Sequence, residues 1–152
     1  MLTNKSTPKV YRIKAALPGP KLLVFGAVHG NEVCGSYALH RLLDEIESKK
    51  IRIKCGELIL VPVANPAAFP QKRYVEENLN NIFRRHAEPE NEEQKFANEL
   101  TQLIEECDYF LDLHSFPSGG IPFAFEDFAD KTTSDFVESL GIKNIVLDWF
   151  SL

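Results

Sequence analysis

Apolar residues along this chain fall into short continuous runs, which are separated by longer amphipathic or polar stretches. A continuous apolar run is typical of a β-strand covered on both faces, because neither face of such a strand meets water. Glycine and proline mark several run ends, notably at Pro18-Gly19-Pro20. We therefore predict strands over 10–15, 21–28, 57–63, 109–113, 121–125 and 144–150.

The stretches between these strands carry the spacing of helices. After the second strand, apolar residues recur at i, i+3, i+4 and i+7 and predict an amphipathic helix that continues to about Lys50. These residues are Leu39, Leu42, Leu43 and Ile46. Similar patterns predict helices over 91–106 and 133–140. Strands that alternate with helices indicate an α/β fold, in which a mixed, mostly parallel sheet has helices on both faces.

Length, charge and cysteine usage narrow the possible functions. At 152 residues, with 44% hydrophobic and 26% charged residues, the chain has the composition of a single globular domain. The net charge of −5 argues against a nucleic-acid partner, since phosphate binding needs a basic surface. No apolar run approaches the ~20 residues that span a bilayer, and the N-terminus lacks the apolar core of a secretory signal. We therefore expect no membrane partner. The three cysteines form no C-x-x-C pair, so we expect reduced thiols in a cytoplasmic protein.

Two of the predicted strands end in a histidine. His29 closes the run at 21–28, with Glu32 three residues later, and His114 closes the run at 109–113. In open α/β sheets ligands bind beyond the carboxyl ends of the strands, so we expect both histidines at one edge of the sheet. Two nitrogens and one carboxylate oxygen form the ligand set of a catalytic zinc site, which keeps a fourth position open.

These residues also have simpler interpretations. A histidine in a loop and a glutamate at the start of a helix are common without a metal, because the helix dipole favours an acidic residue there. Asp112 shares a strand face with His114, so it could orient that ligand or be a buried hydrogen-bonding carboxylate. The polar segment 67–89 is too long for a simple connection, and we expect it to carry function.

Several blocks of sequence occur in a fixed order along the chain. They are GAVHGNE at 26–32, NP at 65–66, RY at 73–74, NLN at 78–80 followed by Phe83, DLHS at 112–115 and PFAF at 122–125. In this order, and over most of the chain, the blocks resemble the succinylglutamate desuccinylase/aspartoacylase family, which belongs to the wider zinc carboxypeptidase-like fold. Together they are far more specific than any one of them.

This resemblance implies that His29, Glu32 and His114 are zinc ligands. It also implies that Arg73 holds the substrate and polarises its scissile carbonyl, and that Asn80 grips a substrate carboxylate. The implied reaction is hydrolysis of the amide bond in a small N-acyl amino acid or related amine. Zinc lowers the pKa of its bound water to about 7, which makes that water a nucleophile near neutral pH.

The chain departs from the family pattern at two points. Asn81 stands where the family usually has an arginine after Asn80, and asparagine lacks the charge for a bidentate grip on a carboxylate. We still predict that Asn81 binds the substrate together with Arg73 and Asn80, but without a positive charge. The glutamate that serves the family as general base has no match after His114. Residues 1–152 are therefore interpreted as the N-terminal portion of a longer catalytic domain, truncated at its C-terminus.

Two hypotheses about function arise from these observations. The first is a zinc-dependent amidohydrolase that acts on a small acylated amino acid or amine. The second is a non-catalytic carboxypeptidase-like domain that binds a metal or a partner, as Asn81 and the missing general base suggest. The apolar segment 146–152 also makes a homo-oligomer plausible, because an apolar edge strand favours association.

Overall fold

A computed structural model of the protein describes residues 7–126 and 130–147. Its elements are β1 (Tyr11–Lys14), β2 (Leu17–Gly26), α1 (Val33–Glu47), β3 (Cys55–Val61), a 3₁₀ turn (Leu79–Asn81), α2 (Glu92–Glu106), β4 (Tyr109–Leu113), β5 (Ala124–Glu126), α3 (Lys131–Ser139) and β6 (Ile145–Leu147). The chain divides into two compact units, Met1–Ser115 and Phe116–Leu152. That residues 1–152 form a single domain stays a prediction. Within the described ranges, no helix combines the length and the apolar character needed to cross a membrane.

The first unit is built on a four-stranded sheet with the strand order β1-β3-β2-β4. β1 runs antiparallel to β3, whereas β2 is parallel to both β3 and β4. This arrangement confirms the predicted mixed, mostly parallel sheet. In the second unit, β5 and β6 form a parallel pair of their own.

Alternate residues of the central strands pack against different helices. One buried cluster contains Leu23 and Phe25 of β2, Ile59 and Val61 of β3, and Phe96, Ala97, Leu100 and Leu103 of α2. The other contains Val24 of β2, Leu58 and Leu60 of β3, and Leu39 and Leu43 of α1. Because successive strand residues point to opposite faces, the two clusters place α1 and α2 on opposite sides of the sheet. The strands are apolar throughout because both of their faces are covered.

The start of α1 lies very close to the sheet at a pair of glycines. A Cβ atom at Gly35 would lie 2.8 Å from the Cβ of Leu113, and one at Gly26 would lie 2.8 Å from the carbonyl carbon of Gly35. Both distances are shorter than carbon atoms tolerate, so no side chain fits at either position. The absence of side chains therefore lets α1 begin beside the carboxyl ends of β2 and β4.

Several element boundaries differ from the predictions for reasons of backbone conformation. β2 ends at Gly26 rather than at residue 28, because Ala27 has a φ of 50° and leaves the strand conformation. β3 ends at Val61 rather than at residue 63, because Pro62 has no N–H group with which to continue the ladder. α1 ends at Glu47 rather than near Lys50, and Lys49 beyond it has a φ of 61°.

Other differences arise at exposed positions and at helix caps. β2 includes the exposed Pro18-Gly19-Pro20, where its register against β3 shifts, so these residues do not stop the chain from pairing. α3 starts at Lys131, before the predicted residue 133, because the Asp130 carboxylate accepts hydrogen bonds from the first amides of the helix. The predicted strand at 121–125 is the shorter β5. Of the predicted strand at 144–150, β6 covers Ile145–Leu147, and residues 148–150 lie outside the described residues.

Candidate metal centre

The backbone leaves the strand conformation at Ala27, directly before the segment that holds His29. Ala27 is buried and left-handed, a conformation that costs an L-residue about 1–2 kcal/mol. The continuation of β3 holds it in place. The carbonyl of Gly26 accepts a hydrogen bond from the amide of Ala64 at 2.9 Å, and that of Ala27 accepts one from the amide of Asn65 at 3.1 Å. The segment that carries His29 is therefore fixed to the neighbouring chain.

His29 and Glu32 are both buried, with 3% and 8% of their surface exposed. The amide of Glu32 donates to the carbonyl of His29 at 3.0 Å, so the two residues close a tight turn before α1. Glu32 occupies the N-cap position of α1, yet within the described residues its side chain makes no capping hydrogen bond. A glutamate that served only the helix start would face the helix amides, so the simpler interpretation of Glu32 does not account for its orientation.

Three side-chain atoms converge at this point. The Nδ1 atoms of His29 and His114 are 3.1 Å apart. The carboxylate of Glu32 lies between them in contact with both, with Oε1 2.9 Å from Nδ1 of His29 and Oε2 3.0 Å from Nδ1 of His114. The sheet brings this about, because β2 and β4 are neighbouring parallel strands and both histidines follow their carboxyl ends.

The outer nitrogen of each histidine contacts a fixed oxygen atom. Nε2 of His29 lies 3.0 Å from Oδ1 of Asn78, and Nε2 of His114 lies 2.7 Å from Oδ2 of Asp112. Oδ1 of Asn78 also accepts a hydrogen bond from the backbone amide of Asn80, which identifies it as the oxygen of that side chain. Both acceptors therefore favour the tautomer with the proton on Nε2.

This tautomer leaves the two Nδ1 atoms with inward-facing lone pairs, and the chemistry of the group then fits a divalent cation. Lone pairs that face each other across 3.1 Å, next to a carboxylate, repel unless a cation or a proton lies between them. Zinc bonds of about 2.0–2.2 Å in tetrahedral geometry separate the ligand atoms by roughly 3.3 Å, close to the separations found here. His29, Glu32 and His114 could thus hold a metal ion, as their ligand atoms all lie within 4.8 Å of one another.

The three groups have shifted pKa values. Burial lowers the pKa of His29, because the charged imidazolium loses its hydration. Burial alone would raise the pKa of Glu32, but the Ser115 amide and the charges of the two histidines outweigh it, so that pKa is lowered. Burial also works against the charged form of His114, yet the hydrogen bond to Asp112 and the charges of Asp112 and Glu32 raise its pKa. The Glu32 anion and the neutral His29 are the forms in which these residues bind metals.

Arg73 lies beside the group, although it is far away in sequence. Its Nη1 donates a hydrogen bond to Oε1 of Glu32 at 2.7 Å, and half of the Arg73 side chain is exposed. Its backbone carbonyl accepts a hydrogen bond from the amide of Gly30 at 3.0 Å. The guanidinium group therefore borders the candidate metal site on one side and solvent on the other.

The structure places the remaining candidate residues at different distances from this group. Asp112 contacts His114 directly, and its Oδ1 is buried with no hydrogen-bond partner among the described residues. Asn80 and Asn81 are exposed on the 3₁₀ turn that follows Asn78. That they bind a substrate stays a prediction.

The sequence assigned no role to Asn78, whereas Ser115, which follows His114, was expected either to line the site or to form a backbone hydrogen bond. Asn78 contacts His29, and the backbone amide of Ser115 donates to Oε2 of Glu32 at 2.9 Å. Within the NLNN run, the resemblance gives roles only to Asn80 and Asn81, so Asn78 was missed. The fold shows that Ser115 contributes through its backbone amide, and which oxygen atom accepts that hydrogen bond.

The chain matches the family model of the succinylglutamate desuccinylase/aspartoacylase catalytic domain over residues 18–147. A curated succinylglutamate desuccinylase from Shewanella denitrificans is 36% identical over 72 residues, which are 46% of this chain and 20% of that protein.

Solved structures of similar proteins show the same fold. An aspartoacylase family protein from Mesorhizobium loti has a TM-score of 0.76 at 27% identity, over 91% of this chain and 46% of that one. The ectoine utilization protein EutE (DoeB) from Ruegeria pomeroyi, in a product-bound structure, has a TM-score of 0.70 at 28% identity, over 91% of this chain and 44% of that one. A succinylglutamate desuccinylase from Vibrio parahaemolyticus has a TM-score of 0.72 at 22% identity, over 91% and 53% of the two chains.

The chain thus spans about half the length of these solved structures, and its matched residues cover 20% of the curated relative. The fold is the zinc carboxypeptidase-like fold expected from the sequence blocks. A family match that runs from residue 18 to residue 147 includes all the residues of the candidate metal centre. This chain therefore belongs to the succinylglutamate desuccinylase/aspartoacylase family.

Proposed function

We propose that this chain forms the metal-binding part of a zinc-dependent hydrolase, which cleaves the amide bond of a small N-acyl amino acid or related compound. The observation that carries the proposal is the convergence of His29 Nδ1, His114 Nδ1 and the Glu32 carboxylate. Bound by these ligands, zinc would supply a Lewis acid and a water activated near neutral pH.

The surrounding residues have roles that their contacts suggest. Asn78 and Asp112 hold the outer nitrogens of the two histidines, which keeps Nδ1 of each aimed inward. The Ser115 amide and Arg73 hold the Glu32 carboxylate. Removing a residue that orients a histidine ligand, as Asn78 and Asp112 do, commonly weakens metal binding by about 10- to 100-fold.

Arg73 is our candidate for contact with the substrate. A guanidinium group has five N–H donors, and the bond to Glu32 leaves others for an oxygen atom of the substrate. A carbonyl that gains negative charge during hydrolysis would be stabilised by such a donor. The names of the relatives, desuccinylase and aspartoacylase, suggest that the substrate is an acylated amino acid.

Asn80 and Asn81 would offer neutral donors near the same region. A neutral amide binds a carboxylate less strongly than a bidentate arginine does. We therefore expect weak recognition of a free substrate carboxylate at this turn, so an acylated amine without that carboxylate also fits the proposal.

Zinc binding is the first test of the proposal. We expect the purified protein to bind one zinc ion, measured by equilibrium dialysis with elemental analysis. His29→Ala and His114→Ala should each weaken binding by at least about 100-fold, because a three-ligand site loses one ligand.

His40→Ala provides a matched control. His40 lies on α1, with its Nδ1 next to the carbonyl of Ser36, and is outside the candidate centre. This variant should bind zinc like the wild type. The proposal would be wrong if the wild type bound no zinc, or if all three variants lost affinity equally.

Hydrolysis is tested separately, with N-succinylglutamate and N-acetylaspartate as probes. Turnover that disappears in His114→Ala would support the hydrolase. Zinc binding without turnover would favour the second candidate, a metal-binding domain that hydrolyses nothing. Asn81 is the observation in favour of that candidate, since it replaces a charge that the family pattern uses.

A further inference from the structure

The segment that carries Arg73 is tied to the rest of the fold by a few identifiable bonds. It leaves β3 at Pro62 and reaches the 3₁₀ turn at Leu79. The Arg73 carbonyl accepts a hydrogen bond from the Gly30 amide at 3.0 Å. Two residues later, the Val75 amide donates to Oε1 of Glu93 at 2.7 Å. One bond holds the carbonyl of Arg73 itself, and the other holds the chain two residues after it.

Glu93 is an unusual residue for this place. It lies in the first turn of α2 and is fully buried, with 0% of its surface exposed. The spacing to Phe96, Ala97 and Leu100 puts it on the apolar face of the helix, where an ionisable side chain needs a specific reason.

The helix dipole does not supply that reason. It favours an acidic residue near the start of a helix, but this does not require burial, since Glu92 in the same turn is only half-buried. Glu93 instead faces the segment that carries Arg73. Besides the Val75 amide, its Oε1 receives the side-chain amide of Asn65 at 3.4 Å, and Asn65 is itself fully buried.

Asn65 extends the connection to the other end of the segment. Its Oδ1 accepts a hydrogen bond from the Ala68 amide at 3.2 Å, and its backbone amide donates to the carbonyl of Ala27 at 3.1 Å. Oε1 of Glu93 therefore contacts both Asn65, near the start of the segment, and Val75, two residues after Arg73. Oε2 of Glu93 has no hydrogen-bond partner within the described part of the chain, so its burial is a cost that these contacts must offset.

We propose that Glu93 is a positioning residue that holds Arg73 against Glu32. Glu93 acts through the backbone. It holds the amide of Val75, and together with the bond from Gly30 this contact fixes the position of the Arg73 backbone, from which the side chain reaches Glu32. Glu93 does not contact Glu32, the histidines or a substrate in this account. The role of Arg73 in substrate binding rests on the proposed function. The contacts of Glu93 do not depend on that role.

Amide hydrogen exchange followed by NMR tests the proposal directly. Glu93→Met keeps the side-chain volume but removes the acceptor. We expect the amide of Val75 to exchange at least about tenfold faster, because it loses its acceptor, and the amide of Gly30 to follow, because the Arg73 carbonyl is no longer held in place. Amides of β2 and β3 should keep their protection. Glu93→Gln retains one oxygen atom as an acceptor and should restore the exchange of Val75 and Gly30 to near the wild-type rate.

Asn98 on the same helix offers a matched control. Its side chain also ties a loop to α2, by donating to the carbonyl of His86 at 2.9 Å and accepting from the amide of His86 at 2.7 Å. Asn98→Leu should release the amide of His86 while Val75 and Gly30 stay protected. If Glu93→Met does not fold, Glu93→Asp replaces it, because the shorter side chain keeps a carboxyl group but draws it away from Val75.

Zinc affinity tests whether Glu93 acts through Arg73. Arg73→Met should tighten zinc binding several-fold, because the guanidinium group repels a cation and competes for Glu32. The same change in the Glu93→Met background should have a much smaller effect, because Arg73 has already left its place there.

The proposal is overturned if Glu93→Met leaves the exchange of Val75 and Gly30 unchanged, or raises exchange uniformly across the sheet. An equal effect of Arg73→Met in both backgrounds would overturn it too. If the wild type bound no zinc, the proposed function would fail, while the hydrogen-exchange comparison would still decide the role of Glu93.

Discussion

Gly30 shows how tightly the candidate metal centre is packed at the scale of single residues. A Cβ atom at this position would lie 2.5 Å from the carbonyl carbon of Ala68 and 2.6 Å from the amide nitrogen of Phe69. Both are backbone atoms, which cannot rotate away as a side chain would. Its amide also holds the carbonyl of Arg73. The glycine between the two ligands of the GAVHGNE block therefore lets the Arg73 segment lie directly on the turn.

This packing makes Gly30→Ala a sharp residue-scale prediction. The added methyl group should push the segment at 68–73 away, at a cost of about 1–3 kcal/mol in the free energy of unfolding. Zinc binding should tighten several-fold, as in Arg73→Met, because Arg73 loses its contact with Glu32. Urea denaturation and zinc titration measure the two effects.

Gly119→Ala serves as the control, since among the described residues no atom lies within 4 Å of the added Cβ, and its effect should stay below about 0.5 kcal/mol. Equal effects of the two substitutions would contradict the packing argument.

At the scale of elements, the strands and helices follow from local patterns, but their ends do not. The apolar runs correctly locate β2, β3 and β4, because a strand covered on both faces is apolar along its whole length. α2 begins as predicted because Asn91 caps it by accepting a hydrogen bond from the Gln94 amide. The predicted ends of β2 and α1 were wrong, because Ala27 and Lys49 adopt left-handed conformations, which are uncommon for residues other than glycine and have no sequence signal here.

The cap of α2 yields an element-scale prediction. Asn91 accepts from the Gln94 amide through Oδ1 and donates to Oε2 of Glu77 through Nδ2. Asn91→Ala loses both bonds and should lower the free energy of unfolding by about 1 kcal/mol. The pKa of Glu77 is lowered first by the hydrogen bond from Asn91 and then by that from Gln94, so it should rise in the variant.

Asn91→Ser separates the two contributions. Serine keeps a capping oxygen but is too short to reach Glu77, so stability should stay near that of the wild type while the pKa of Glu77 still rises. NMR titration of the Glu77 carboxyl group and thermal unfolding measure the two effects. A large stability loss in Asn91→Ser, with no change in the titration, would show that these bonds are misassigned.

At the scale of the whole molecule, the metal centre joins parts of the chain that are distant in sequence. His29 follows β2, His114 follows β4, and Arg73 and Asn78 come from the segment after β3. A metal held by His29, Glu32 and His114 would bind the folded state and not the unfolded one, because only the fold brings these residues together. We therefore expect metal binding to be coupled to the stability of the first unit.

Zinc should accordingly stabilise the fold. At free zinc about 1,000 times the Kd, the gain in the free energy of unfolding should be about 4 kcal/mol, visible as a rise in Tm. His114→Ala should abolish the rise, whereas His40→Ala should retain it. Calorimetry with and without zinc makes the measurement. A rise of the same size in His114→Ala would place the binding site elsewhere.

The sequence by itself determined the class of fold and the chemistry available to it. Apolar runs fixed the strands, and the positions of His29 and His114 at the ends of two runs placed both at the carboxyl edge of a parallel sheet. Only the tertiary structure decided which atoms meet. That Nδ1 rather than Nε2 faces inward depends on Asn78 and Asp112, and the place of Arg73 depends on Gly30 and Glu93. The physical reason is that these contacts join residues far apart along the chain. Their distances are set by strand order, by the left-handed turn at Ala27 and by the path of the segment after β3, none of which a local pattern encodes.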